Sequence, residues 1–137
     1  MSIVARALDR IFRAESGAVD SSSEIPVDDY IVPIGKAAVR REGKDVTILA
    51  WLLMAHYAMQ AADQLSRTGH DGGGRDIPGV DAEVIDVRSL SPIDWQTIGT
   101  SVQKTRRVVI VEEGAITGGV GAEVAAGIAE RWPNVRI

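Results

Sequence analysis

Hydrophobic and polar residues follow one another along this chain in the order expected of an α/β domain. Short apolar runs rich in β-branched residues lie near residues 46–51, 83–87 and 107–112, and such runs are typical of strands buried on both faces of a parallel sheet. Amphipathic segments with helical spacing follow each run, and a further strand begins at residue 134. The pattern predicts a three-layer α/β/α sandwich with a mainly parallel open sheet, because right-handed crossovers place helices on both faces.

Local signals predict where the helices begin and end. Ser91, Pro92 and Asp94 have the order of a capping serine, a proline at the first helical position and an acid in the first turn. Gly69 is expected to end the first helix, and Pro133 the third. The expected inner face of the first helix comprises Met54, Ala55, Ala58, Met59, Ala62 and Leu65, and that of the third comprises Val120, Val124, Ala125, Ile128 and Trp132.

A separate amphipathic pattern precedes the α/β succession. Residues 2–13 predict a helix that packs on its own domain or on a partner, and the acids Asp9 and Glu15 argue against an organellar transit peptide. We divide the chain into this helix and its linker, residues 1–23, and a domain over residues 24–137. The opposite face carries Arg6, Asp9, Arg10 and Arg13, and the apolar stripe of the helix comprises Ile3, Val4, Ala7, Leu8, Ile11 and Phe12.

Composition narrows the class of protein further. The chain has 137 residues, of which 45% are hydrophobic and 25% charged, as in a globular domain rather than a disordered tail. No apolar run approaches the roughly 20 residues that span a bilayer. The absence of cysteine excludes disulfides, thiolate metal sites and cysteine nucleophiles. A net charge of -4 with scattered cations disfavours nucleic-acid binding.

A glycine-rich turn between the third strand and its helix is the most conspicuous chemical motif. Backbone N–H groups at such a turn can bind a phosphate. The dinucleotide fingerprint fails, however, because Val124 stands at the third glycine position, and Glu112 and Glu113 would repel a phosphate. We favour glycines that allow tight packing, in a turn that is a candidate interface or anion-binding site. Its residues are Gly114, Thr117, Gly118, Gly119 and Gly121.

The remaining polar residues predict no catalytic centre. Asp86 and Arg88 lie at a strand end, two residues apart, and are interpreted as a structural ion pair at least as readily as a substrate site. The histidines His56 and His70 have no partner at metal-ligand spacing. No nucleophile is accompanied by a base and an oxyanion hole. We therefore assign no catalytic, cofactor-binding or metal-binding residue.

Four motifs in order resemble a known family. V-P-I-G-K-A, E-G-K-D-V-T-I, L-S-P-I-D-W and V-E-E-G lie within residues 30–122. They resemble the C-terminal domain of transketolase-like enzymes, and most closely the β subunit of the E1 component of 2-oxoacid dehydrogenases such as pyruvate dehydrogenase. The alternatives are the C-terminal domain of a 1-deoxyxylulose-5-phosphate synthase-like enzyme, or a free-standing module that binds an anion or a protein.

The resemblance implies that this chain is one part of a larger enzyme. The full family enzyme uses thiamine diphosphate and Mg for oxidative decarboxylation, in an assembly with an E1 α subunit that passes an acyl group to E2. In the family the cofactor lies between the α subunit and the pyrimidine-binding domain of β, and the activating glutamate belongs to that domain. We therefore expect this chain to bind no cofactor and to be inactive alone. The implied role is an oligomeric, non-catalytic assembly domain that contacts other E1 parts and E2. The expected compartment is the cytoplasm, with mitochondrion and plastid as alternatives.

Three departures from the family pattern accompany the match. Residues 51–54 replace the small turn usual after the first strand, residues 70–79 have the length of an inserted loop, and Ile137 comes before the family's last strand and closing helix. We therefore expect the domain over residues 24–137 to be truncated at its C-terminal end.

Overall fold

The computed structural model describes residues 31–67, 69–70 and 76–137. The helix predicted at residues 2–13 and the boundary of the linker at residue 23 lie outside this range. Over the described residues the chain forms β1 Ala38–Arg41, β2 Val46–Ala50, α1 Leu53–Leu65, β3 Gly69–His70, β4 Asp76–Ile77, β5 Ala82–Asp86, α2 Trp95–Thr105, β6 Val108–Val111 and α3 Val120–Arg131.

The main sheet has four strands in the order β1-β5-β2-β6. Strands β5, β2 and β6 are parallel, as predicted, with Ile48 opposite Val84 on one side and Val109 on the other. β1 is an antiparallel edge strand against β5. The strand predicted to begin at residue 134 is represented by a parallel bridge between Arg136 and Arg107, beside β6. The predicted α/β architecture is confirmed.

Two hydrophobic clusters fill the spaces between the sheet and its helices. All five residues of β2 are buried, and successive side chains point to opposite faces of the sheet. Ile48 therefore packs with Met54 and Ala58 of α1, whereas Leu49 packs with Ile98 of α2 and Val124 of α3. Full burial of such side chains contributes about 1.5–3 kcal/mol each, so β2 is the centre of the core. No helix among the described elements is long and apolar enough to span a bilayer.

The second helix begins later than the sequence predicts. Asp94, rather than Ser91, is the N-cap of α2, because its carboxylate accepts hydrogen bonds from Thr97 N at 3.2 Å and Thr97 Oγ1 at 2.8 Å. The same carboxylate accepts from Ala37 N at 3.2 Å. A serine at residue 91 precedes the helix by too many residues to reach its first free N–H groups, so the prediction for Ser91 was wrong.

The end of the first helix also differs from expectation. α1 ends at Leu65, where Ser66 N donates to Ala62 O at 3.0 Å and Val80 N donates to Leu65 O at 2.7 Å. Gly69 instead begins β3, which pairs with β4 across part of the predicted loop at 70–79. The incoming chain at Val80 therefore decides where the helix stops.

Two helix faces are rotated relative to their predictions. In α1, Tyr57 and Ala61 are buried, while Ala55 and Met59 are only partly covered. In α3, Gly121 and Gly127 are buried beside Val124 and Ile128, whereas Val120 is exposed, Ala125 is half-buried and Trp132 follows the helix. A Cβ at Gly127 would meet the ring of Trp95, so an aromatic side chain from α2 occupies the space beside that glycine.

Candidate contact surface at the carboxyl ends of the strands

One edge of the sheet collects most of the residues singled out from the sequence. Because β2, β5 and β6 are parallel, the residues that follow them, Leu52, Arg88 and Glu112, lie at the same edge. β1 is antiparallel, and Ala38 at its start lies opposite Asp86, so residues 31–37 also arrive from this edge. We call this surface the carboxyl edge. It is where open α/β sheets place their binding groups.

The carboxyl edge is rich in exposed aliphatic side chains. Ile116 is 94% exposed, Ile34 85%, Ile31 83% and Leu52 79%. The other large exposed hydrophobic side chains of the described residues are less exposed, at 37–55%: Val32, Val39, Val120 and Ile137. Isolated exposed aliphatic residues are ordinary, but their concentration on one side of a domain is typical of an interaction surface.

The glycine-rich turn holds a carboxylate of the chain itself. A Cβ at Gly121 would lie 2.5 Å from Glu112 Oε1, one at Gly119 2.6 Å from the same atom, and one at Gly114 3.0 Å from Glu112 Oε2. Gly119 is the N-cap of α3, where a negative charge is favourable. The small residues thus make room for Glu112, and an external anion would have to displace it.

The rest of that turn faces away from the domain. Gly118 has φ +77, which favours glycine, and beyond its two chain neighbours no atom lies within 4 Å of the position of its missing Cβ. Thr117 and Ile116 are exposed beside it. The turn can therefore offer side chains and backbone to a partner more readily than it can enclose an anion.

Asp86 and Arg88 are close together at the end of β5. Arg88 Nε lies 3.8 Å from Asp86 Oδ2, and Arg88 N donates a hydrogen bond to Asp86 Oδ1 at 3.2 Å. Both side chains are partly buried, and Arg88 has φ 57. The carboxylate thus holds the backbone where the chain leaves the sheet.

Leu52 is a contact candidate that the sequence-based site assignment missed. It is the N-cap of α1 with φ 53 and ψ −137, a conformation that costs a branched side chain of order 1–3 kcal/mol. The available signal was the replacement of a small turn by residues 51–54. The structure turns that departure into a strained, exposed leucine at the end of the central strand.

A buried carboxylate anchors the segment that carries Ile31 and Ile34. Besides capping α2, Asp94 binds Ala37 N and lies 3.9 Å from Lys36 Nζ. Burial by itself raises the pKa of Asp94, but the hydrogen bonds from Thr97 and Ala37 and the charge of Lys36 outweigh it and lower the pKa. Gly35, with φ +75, packs where a Cβ would come within 2.8 Å of Pro92 Cγ, so both the backbone conformation and the space favour glycine there.

A cleft of about 550 Å³ lies between residues 90–95 and α3. Arg131 covers the ring of Trp95 at 4.3 Å, and Glu123 and Glu130 of the same helix also line the cleft. Neither this cleft nor the rest of the described chain holds three metal-ligating side chains together. His56 is exposed on α1, and the side chain of His70 lies outside the described residues.

Comparison with known proteins decides the family. The sequence model of the family described as "Transketolase, C-terminal domain" matches residues 35–135. The chain belongs to this family. It is 45% identical over 109 residues to pyruvate dehydrogenase E1 component subunit beta-2, mitochondrial, of Oryza sativa subsp. japonica, covering 80% of this chain and 26% of that protein.

Bacterial relatives give the same result. The pyruvate dehydrogenase E1 component subunit beta of Staphylococcus epidermidis is 41% identical, covering 79% of this chain and 30% of that protein. The 2-oxoisovalerate dehydrogenase subunit beta of Bacillus subtilis is 40% identical, covering 78% and 30%. This transketolase C-terminal domain therefore spans roughly a third or less of the length of these relatives.

A solved structure agrees with the sequence comparisons. A split gene transketolase, described as an inactive beta4 tetramer, matches with a TM-score of 0.65 and 35% identity, covering 81% of this chain and 34% of that one. The domain is thus of the kind found in E1 β-like proteins, with the transketolase C-terminal fold.

Proposed function

We propose that this transketolase C-terminal domain is a non-catalytic assembly domain of a thiamine-diphosphate-dependent 2-oxoacid dehydrogenase E1 β subunit, with the carboxyl edge as its main contact surface. The observation that carries the proposal is the row of exposed Ile31, Ile34, Leu52 and Ile116 along one edge. Apolar side chains of this size favour association because covering them removes apolar area from water, at about 25 cal/mol per Å².

The known relatives support an assembly role. Those named above are subunits of dehydrogenases, and the structural neighbour is a tetramer of one kind of subunit. The partners we propose are the E1 α subunit and the pyrimidine-binding domain, with E2 contacting the same domain. Oligomers of this chain itself follow from the same apolar edge.

The described residues do not fit a thiamine diphosphate site. Glu112 already fills the glycine cradle at the N-terminus of α3, and Glu113 adds a second negative charge beside it. A diphosphate there would meet two carboxylates rather than a cation, which is unfavourable. We therefore propose that the cofactor is held elsewhere in the full enzyme and that this chain alone is inactive.

Binding measurements on edge variants test the proposal. The E1 α subunit and pyrimidine-binding domain from the same cell would be titrated with the chain and with Ile116→Asp. We expect the variant to bind at least about tenfold more weakly, since a buried unpaired carboxylate is costly. Ile137→Asp is the matched control, because Ile137 is exposed and follows Arg136, which pairs with Arg107 at the amino end of β6.

Two outcomes would overturn the proposal. Equal binding by Ile116→Asp and the unchanged chain would show that the carboxyl edge is not the contact surface. Micromolar binding of thiamine diphosphate to the chain alone, measured by calorimetry, would show that the domain is itself a cofactor site.

A further inference from the structure

A second cleft, of about 250 Å³, lies at the end of α3 that is opposite the glycine-rich turn. It is formed where α2 and α3 both end, beside the residues that lead into β6, so it belongs to the amino end of the parallel strands. Among the described residues that line it, two are arginines, Arg106 and Arg131, and none is a carboxylate. The chain has a net charge of -4, so a cleft lined by cations and neutral groups stands out from the rest of the molecule.

Arg106 is held in position by the end of α2. It is the C-cap of that helix with φ 58, a conformation that glycine or asparagine adopts more readily, and its Nε donates a hydrogen bond to Gln103 O at 2.9 Å. None of the ion pairs between described residues includes Arg106. Its guanidinium is therefore anchored to the helix without a carboxylate partner in the described chain, and its other N–H groups can bind a ligand.

Arg131 is held in a similar way by the end of α3. Its Nη1 donates a hydrogen bond to Gly127 O at 3.1 Å, and its Cζ lies 4.3 Å from the centre of the Trp95 ring. Glu130 lies 3.7 Å from Arg131, but the side chain of Glu130 is 82% exposed. An exposed ion pair of this kind contributes little to stability, so a ligand can replace Glu130 at small cost.

The residues that follow α3 give the cleft a packed and partly apolar wall. The ring of Trp132 lies against Gly99 of α2, where a Cβ would collide with it. Val135 adds apolar surface, and the side-chain amide of Asn134 adds a neutral hydrogen-bond donor. A wall that is already packed loses little conformational freedom when a ligand binds.

Two guanidinium groups and an amide favour a particular kind of anion. A phosphate ester carries a charge of about −1.5 to −2 near pH 7 and three acceptor oxygens, so it can form charge-assisted hydrogen bonds to both arginines at once. The carbonyl groups at the ends of two helices disfavour anions, but Arg106 and Arg131 each already bind one of those carbonyls. The cleft is smaller than the roughly 300–1,000 Å³ of sites for drug-sized ligands, which favours a small ester over a nucleotide.

We propose that this cleft binds the phosphate group of a small phosphate ester, with Arg106 and Arg131 pairing its oxygens and Trp132 covering its carbon atoms. Glu112 fills the glycine-rich turn at the start of α3, whereas no described carboxylate lines the cleft at the end of that helix. The cleft is separate from the carboxyl edge, so this inference does not rest on the proposed function.

Titration of the full 137-residue chain with inorganic phosphate, followed by NMR at constant ionic strength, tests the site. We expect the resonances of the Arg106 Nε–H and the Trp132 indole N–H to shift and to saturate in the millimolar range. Arg106→Gln and Arg131→Gln should each weaken phosphate binding by about tenfold or more, because each removes a charge-assisted partner.

The matched control is Arg67→Gln. Arg67 is an exposed arginine that follows α1 and lies outside the cleft, so the variant should bind phosphate as the unchanged chain does. The amide resonances of β2 should be the same in all four proteins, as a check that the core is folded.

Glycerol 3-phosphate and glycerol distinguish a site for an ester from a site for the phosphate ion. We expect the ester to bind about threefold or more tightly than inorganic phosphate, because its carbon atoms contact the apolar wall, and glycerol not to bind. Binding of the ester no tighter than that of inorganic phosphate would overturn the assignment to an ester.

Three results would overturn the site itself. The first is a titration of the unchanged chain that does not saturate, and the second is unchanged affinity in Arg106→Gln and Arg131→Gln. The third is an equal loss of affinity in Arg67→Gln, which would show that phosphate responds to the overall charge of the protein rather than to this cleft.

Discussion

The amino and carboxyl ends of the parallel strands differ in two respects: how their polar groups are hydrogen-bonded and how much apolar side-chain area they expose. At the amino end, Glu83 is only 3% exposed, and its carboxylate accepts hydrogen bonds from Lys104 Nζ and from Gly43 N. Thr47 Oγ1 lies 2.7 Å from the hydroxyls of both Ser101 and Thr105 in the same region. In the described chain, no buried side-chain nitrogen or oxygen lacks a partner.

The carboxyl end of the strands, where the carboxyl edge lies, has the opposite character. It exposes Leu52, Ile34 and Ile116 to solvent. Two non-glycine residues there, Leu52 and Arg88, have positive φ, against Arg106 alone among the described residues at the amino end. Backbone strain and exposed apolar area both lower stability, and both are typical of surfaces that bind a partner. The comparison indicates that the amino end stabilises the fold, whereas the carboxyl end is the surface that we propose for contact with a partner.

The largest expected difference between the two ends concerns paired glycine substitutions. Gly43→Ala would place a Cβ against the backbone of Ala82 and Glu83, which cannot move without disturbing β5, so we expect a loss of about 3 kcal/mol in the free energy of unfolding. Gly118→Ala meets no atom and only acquires an unfavourable φ, for a loss of about 1 kcal/mol. Urea unfolding measures both; equal losses would contradict the comparison.

Paired lysine substitutions test the buried carboxylates of the two ends. Lys104→Met leaves Glu83 buried without its cation, and we expect a loss of about 2 kcal/mol, below the range for fully buried pairs because Lys104 is partly exposed. Lys36→Met removes a more exposed cation 3.9 Å from Asp94, which keeps its bonds from Thr97 and Ala37, so the loss should stay below about 0.5 kcal/mol. A larger loss for Lys36→Met than for Lys104→Met would contradict the conclusion that the amino end contributes more to stability than the carboxyl end.

The pH dependence of the free energy of unfolding should show a smaller effect, which arises from Glu83 at the amino end. Burial raises the pKa of Glu83, but the hydrogen bonds from Lys104, Ser101 and Gly43 and the charge of Lys104 outweigh it and hold the pKa below its usual value. Since the folded pKa is lower than the unfolded one, this contribution is complete above the usual glutamate pKa and is lost as pH falls through the lowered value. Denaturation from neutral pH into the acid range should therefore show a shallower decline in Glu83→Gln; an identical slope would contradict the pKa shift.

The smallest effect is an expected gain at the carboxyl end. Leu52→Gly relieves the strain at φ 53, which outweighs the extra entropy of glycine in the unfolded chain, so we expect about 1 kcal/mol of stabilisation. Val39→Gly, at an exposed aliphatic residue within a strand, should instead lose about 0.5–1 kcal/mol. Thermal unfolding distinguishes the two, and destabilisation by Leu52→Gly would show that Leu52 is not strained.

Hydrophobic periodicity alone was sufficient for the three parallel strands. The apolar run of β2 is buried on both faces, and a segment of that composition has no stable position except the centre of a covered sheet. The glycine turn and the Asp86–Arg88 pair were also located from the sequence, because strand ends and glycines mark where the chain leaves a sheet. What these residues contact was not predictable from their spacing.

The amino-acid sequence by itself determined the alternation of the three parallel strands with their helices and the family, because these depend on local periodicity and on motifs in order. Only the tertiary structure decided that Asp94 caps α2, that α1 stops at Leu65 and that Glu112 occupies its own glycine cradle. Each of these depends on a partner distant in sequence or on packing space, such as Ala37 N at Asp94 and Val80 N at Leu65. Long-range geometry of this kind is fixed by how the elements pack, and no local pattern encodes it.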